Sequence, residues 1–164
     1  MGVNKYKEHL YILPEDDANR QLVNGFLLVP TLNLRTVEVL PPAGGWRKVL
    51  DEFEHTHSAE MKAYSLRYML LLIDFDEQND RLQQVEEKIL SDLKDRVFVL
   101  GVWSEPEKLK SLMGKVSYEA IGTALATGCP NKLSETWNHA LLKHNLQELQ
   151  RIPADLKSIL FSAP

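Results

Sequence analysis

Cysteine is almost absent from this chain of 164 residues, with Cys129 standing alone. No intrachain disulfide can form, and a reducing compartment is expected. No apolar run approaches the roughly 18 residues that a membrane-spanning helix needs. The opening stretch MGVNKYKEHL carries no apolar signal-peptide region. These absences predict a cytoplasmic protein without a membrane partner. A basic excess is lacking too: 19 Lys and Arg face 23 Asp and Glu, for a formal net charge of −4. Counterion release, the driving force for passive coating of nucleic acid, is therefore not built into the composition. An enzyme that meets phosphates through a bound metal is compatible with that balance. There is no P-loop, GxGxxG or GxSxG pattern, which removes the corresponding phosphate, dinucleotide and serine-nucleophile sites. Internal repeats and low-complexity linkers are also missing.

What the chain does have is oil. At 44% hydrophobic residues, it can bury the core of one ordinary domain. Four short apolar runs, His9–Leu13, Arg35–Leu40, Arg67–Ile73 and Val97–Trp103, read as strands. Between them, helical spacing marks the segment from Ala18 to Pro30, Trp46–Phe53 and Asp80–Leu93. Asp16 or Asp17 is placed to cap the first of these helices. Ser104-Glu105-Pro106-Glu107 has the composition of a helix start, with serine as the cap. His55 to Glu60 reads as a polar loop. Strands and helices in alternation, with non-alternating apolar strands, predict an α/β fold. Its mainly parallel sheet has about four strands and helices on both faces. Beyond Gly114 the pattern is helical: Tyr118–Ala126, Thr136–Ile152 and a short turn or helix over Asp155–Phe161. The expected organisation is an α/β domain over residues 1–114 and a C-terminal helical extension over 115–164 packed on it.

In a parallel sheet the loops after the strands emerge at one edge, where such folds place their sites. Acids follow three of the four strands: Glu15, Asp16 and Asp17; then Asp74, Asp76 and Glu77; then Glu105 and Glu107. A single acid there is most simply a helix cap. Glu15 immediately after one strand, with Asp74 and Asp76 straddling the end of another, is not explained by capping. If the DxD is extended, its two carboxylates share one side while Phe75 packs on the other. Crowded carboxylates repel, and a hard divalent cation such as Mg²⁺ or Mn²⁺ relieves that cost through oxygen ligands. Glu15, Asp74 and Asp76 are the candidate metal ligands. Asp16, Asp17, Glu77 and Glu105 are candidates for supporting positions around them. Arg20 and Arg81, in the first turns of the following helices, are candidates to receive phosphate, with Arg47 and Lys48 as further basic groups.

The stretches LYILPEDDANRQLV and LLLIDFDEQNDR together resemble the toprim domain of topoisomerases, primases and nucleases of the OLD (overcoming lysogenization defect) group. The likeness spans roughly Leu10 to Leu109 and is greatest to small stand-alone toprim proteins near those nucleases. It implies Glu15 as the general acid/base or a further metal ligand, Asp74 and Asp76 as the Mg²⁺-binding pair, and phosphodiester chemistry on nucleic acid, alone or with a protein partner or as a homodimer. One departure stands out: where many toprim domains have glycine after the glutamate, this chain has Asp16. The first stretch also resembles a response-regulator receiver domain, which implies Asp74 as phospho-acceptor with Asp16 and Asp17 on Mg²⁺. A non-catalytic interaction protein on the same fold is the third reading. His55-Thr56-His57 lacks the partners of a zinc site. Trp137 reads as an anchor of the core, and Cys129, in the turn TGCPN, has no activating base.

Overall fold

The computed structural model describes residues 2–127, 129 and 133–162. Four parallel strands, β1 (His9–Pro14), β2 (Val37–Val39), β3 (Arg67–Leu72) and β4 (Val97–Leu100), form one sheet in the order β2-β1-β3-β4. β1 is central and buried along its whole length. Its register runs from Leu10 opposite Val37 on one side and from His9 opposite Arg67 on the other.

Because strand side chains alternate, the two faces of the sheet draw on different residues. Tyr11, Leu13, Met69, Leu71, Val97 and Val99 share one core cluster. Leu10, Ile12 and Phe98 belong to a cluster on the other face. The order 2-1-3-4 sends the first crossover one way along the sheet and the next two the other way, so right-handed crossovers place helices on both faces. On the first face lie α2 (Trp46–Glu52), α3 (Ser58–Ala63) and α4 (Arg81–Glu86), through Val49, Leu50, Phe53, Met61 and Val85. On the second face lie α1 (Asp17–Phe26), α5 (Pro106–Leu112), α6 (Tyr118–Ala126) and α8 (Ala154–Leu160), with α7 (Leu146–Arg151) at the β4 edge. Helices α1 and α6 cross closely: a Cβ at Gly122 would lie 2.0 Å from Leu22 O. The Thr123 hydroxyl donates to Gly25 O at 3.0 Å.

The α/β architecture is as the sequence predicts, and four local expectations are corrected. His55 to Glu60 is not a loop. Helix α2 runs through a π-helical turn, Phe53–His57, into α3. Phe53, His57 and Met61 face the core at spacings of four, while the polar residues between them face outward and give the segment its loop-like composition. The Asp80–Leu93 stripe does bury Val85, Ile89 and Leu93, but regular α-helix covers only Arg81–Glu86. Thr136–Ile152 is not one helix: it divides into 3-10 turns at Glu135–Asn138 and Lys143–Asn145 before α7. The break follows from Leu141, whose carbonyl accepts from Trp103 N at 2.8 Å and so serves a neighbouring segment. At α5 the cap position is taken by Glu105 rather than Ser104. The expected turn around Cys129 falls partly outside the described residues.

The free edge of β4 has no fifth strand among the described residues. Polar side chains take its place. Val99 N donates to Glu148 Oε2 at 2.8 Å, and Gly101 N to Asn145 Oδ1 at 3.0 Å. Asn145 Nδ2 returns a bond to Gly101 O at 2.9 Å, and an Arg151 guanidinium nitrogen reaches Val97 O at 2.8 Å. Asn145 at the N-cap of α7 and Glu148 and Arg151 within it, spaced three apart, satisfy groups that would otherwise template strand pairing.

Candidate functional site

The order 2-1-3-4 makes the crevice between the ends of β1 and β3 the topological switch point, where doubly wound sheets bind ligands. Glu15 lies there because Pro14 ends β1. Its amide donates to Leu72 O at 2.8 Å, extending the β1–β3 ladder by one rung. Its carbonyl accepts from Gly44 N at 2.7 Å, tying the glycine turn before α2 to this loop. The Glu15 side chain crosses the crevice, and Oε2 accepts from Asp74 N at 2.6 Å. Glu15 and Asp74 are thus brought together directly.

β3 continues past Leu72 alongside the extension of β4. Ile73 N donates to Leu100 O at 3.0 Å, and Phe75 N to Val102 O at 3.0 Å. The two segments approach so closely at Gly101 that a Cβ there would lie 1.5 Å from Ile73 O; no other residue fits. Asp74 points inward and is 6% exposed. Its Oδ1 accepts from Asn19 Nδ2 at 3.0 Å. Burial, reinforced by the charges of Glu15, Asp16 and Asp76 and opposed by the Asn19 bond, pushes the Asp74 carboxyl up to about 8. Burial also raises Glu15, against the bond from the Asp74 amide.

The DxD is not extended throughout. Asp76 (φ 49°) and Glu77 (φ 59°) are left-handed, so the chain turns directly after Phe75 and the two aspartates do not share a side by strand alternation. Arg81 brings Asp76 back: one guanidinium nitrogen donates to Asp74 O at 2.7 Å and Asp76 Oδ2 at 2.8 Å. Arg81 is buried, with its guanidinium 4.1 Å from the centre of the Trp46 ring. It is a fixed counter-charge inside the site. Phe75 anchors the turn from behind, packed edge-on to His144 at 4.6 Å. Burial lowers the His144 imidazole to about 4, so it is neutral there.

Of the remaining predicted residues, Asp16 joins the site through Asn19 and the others separate. Asp16 caps α1 by accepting from Asn19 N at 2.9 Å, and also accepts from Asn19 Nδ2 at 3.1 Å. Asp17 and Arg20 pair with each other on the exposed side of α1, and Glu77 pairs with Lys108 at 3.1 Å. Glu105 is exposed at the start of α5. Arg47 and Lys48 are exposed beside Trp46. Two site residues lie outside the predicted set. Asn19 is fully buried, and its Oδ1 has no partner among the described residues. Its signal in the sequence is its place on the apolar face of α1, three residues before Leu22. Trp46, following the glycine turn, covers Arg81; only the fold connects the two.

Among the described residues, no three His, Cys, Asp or Glu side chains stand together as a cation cage. The donor chemistry nonetheless suits a hard cation: carboxylates of Asp74, Asp76 and Glu15 and the unpartnered Asn19 carbonyl are all oxygen ligands. Mg²⁺ commonly takes one or two carboxylates and keeps several waters. The fold and this crevice define a class: a doubly wound parallel α/β protein with a buried aspartate and a half-buried glutamate at its switch point. No known family, curated protein or solved structure matches the chain.

Proposed function

We propose that this chain is a metal-dependent phosphodiester enzyme acting on nucleic acid, a toprim-like nuclease or nuclease subunit. The observation that supports it is the Glu15–Asp74 contact across the ends of β1 and β3, which joins the two stretches that carry the toprim resemblance. Asp74 and Asp76, with Asn19 Oδ1, are the groups to hold Mg²⁺ or Mn²⁺. A bound cation of this kind supplies charge stabilisation at the phosphate and acidifies its water. Glu15 is held through Oε2, and its raised pKa suits it to take up or release a proton at Oε1. Arg81 fixes the Asp74 and Asp76 backbone turn and adds positive charge beneath it. Arg47 and Lys48, exposed at the rim, suit the flanking backbone phosphates.

The test is cleavage of mixed single- and double-stranded oligonucleotides with Mg²⁺ or Mn²⁺. Metal-dependent cleavage should fall at least 100-fold in Asp74→Asn and Glu15→Gln, with folding retained in melting curves. Cleavage unchanged in both variants overturns the assignment. The strand order 2-1-3-4 also matches the first four strands of doubly wound phospho-acceptor folds, so a receiver-like role is the second reading. It expects a melting shift with Mg²⁺ plus beryllofluoride that Asp74→Asn abolishes, and no cleavage.

A further inference from the structure

We infer that a second site, remote from the acidic crevice, binds a single-chain carboxylate amphiphile of medium length. The second face of the sheet and the helices over it form a half-open apolar cavity of about 260 Å³. Leu72 forms part of its floor, Phe26, Leu125, Trp137 and Leu160 are among its walls, and Lys157 stands in its lining. Protein interiors are close-packed, with few voids larger than a water molecule. An apolar cavity of roughly 150 Å³ stays dry and accepts benzene. By proportion, this one has room for about ten carbons.

The lining also gives the occupant a polarity. Among the described residues that line the cavity, Lys157 alone carries a charge. No described residue forms an ion pair with its ammonium. It is partly exposed, and Gln150, also in the lining, is exposed, so the cavity meets solvent at these residues. An apolar chamber with one cation, unpaired among the described residues, at its wet end is complementary to a hydrocarbon tail with an anionic head. A carboxylate pairs with Lys157, and a chain of about ten carbons replaces the empty volume. The Trp137 indole, oriented by its Nε1 donating to Leu125 O at 2.9 Å, faces the tail and is a built-in reporter.

The experiment uses decanoate, 10-bromodecanoate and decanol on the full chain. Bromodecanoate should quench part of the tryptophan fluorescence saturably, at one molecule per chain, and unlabelled decanoate should compete. The quenching should disappear in Trp137→Phe, because neither Trp46 nor Trp103 is among the described residues that line the cavity. Lys157→Glu should weaken decanoate at least tenfold while leaving decanol within twofold. Leu125→Trp, which fills the cavity, should abolish decanoate binding without lowering the melting temperature. Absence of saturable quenching, quenching that persists in Trp137→Phe, or equal effects of Lys157→Glu on decanoate and decanol overturns the proposal.

Discussion

At the residue scale, Asp74 sets the pH response of the site. In the unfolded chain its carboxyl titrates near its ordinary 3.8, and in the folded crevice near 8. Between those values the folded state holds a proton that the unfolded state has lost. Stability is therefore complete below about pH 4 and falls as the pH rises through 8. Glu15 shifts in the same direction. Asp74→Asn keeps an acceptor for Asn19 Nδ2 and removes the titrating charge. Urea denaturation from pH 5 to pH 9 should show a flatter profile for this variant. Its advantage over the wild type should grow to about 2 kcal/mol at the alkaline end, less than the full shift implies because the crevice is partly solvated. Asp76 behaves differently. It is the partner of buried Arg81, and removing it leaves that guanidinium unpaired instead of relieving repulsion.

At the element scale, the least conventional part is the covered edge of β4. The spacing that a sequence reading assigns to one long amphipathic helix instead supports an edge cover of three polar side chains. Glu148→Ala removes the acceptor for Val99 N and the partner of Arg151. Leaving a buried amide unsatisfied costs about 1–3 kcal/mol. The midpoint of urea unfolding should fall accordingly, and Glu148→Gln, which keeps an acceptor, should lose less. Size-exclusion chromatography should show association in the alanine variant, since an unmasked edge pairs with other strands.

At the scale of the whole molecule, the proposed metal links the acidic crevice to global stability. A ligand at 100 times its dissociation constant stabilises the native state by about 2.7 kcal/mol, which for this size is about 5–10 °C in melting temperature. Mg²⁺ or Mn²⁺ should produce such a rise, and EDTA should reverse it. The rise should be larger at pH 8.5 than at pH 6, because the proton on Asp74 competes with the cation. A shift that Asp74→Asn leaves intact places the cation elsewhere. Decanoate should stabilise independently of this, since its cavity lies on the face that α1, α6 and α8 cover.

The four strands were legible in the sequence because burial leaves a local mark: His9–Leu13 and Arg67–Ile73 are apolar whichever strands become their neighbours. The acids after them were legible for the same reason, each standing where an apolar run stops. The Tyr118–Ala126 helix needed only its own spacing and the Ser117 cap. Other features had no local mark. Glu15 touches Asp74 across a separation of 59 residues, and only the pairing of β1 with β3 brings them together. The same pairing buries Asn19 against Asp74. Arg81 reads as a solvated helix residue until Trp46, from another element, closes over it. His55 to Glu60 reads as loop because its outward residues are polar, whereas Phe53, His57 and Met61 hold it helical against the sheet. Local chemistry determined which groups were available and where segments begin. Long-range strand order and packing decided which of those groups meet, because side chains distant in sequence become neighbours only through the backbone ladders that the whole sheet forms.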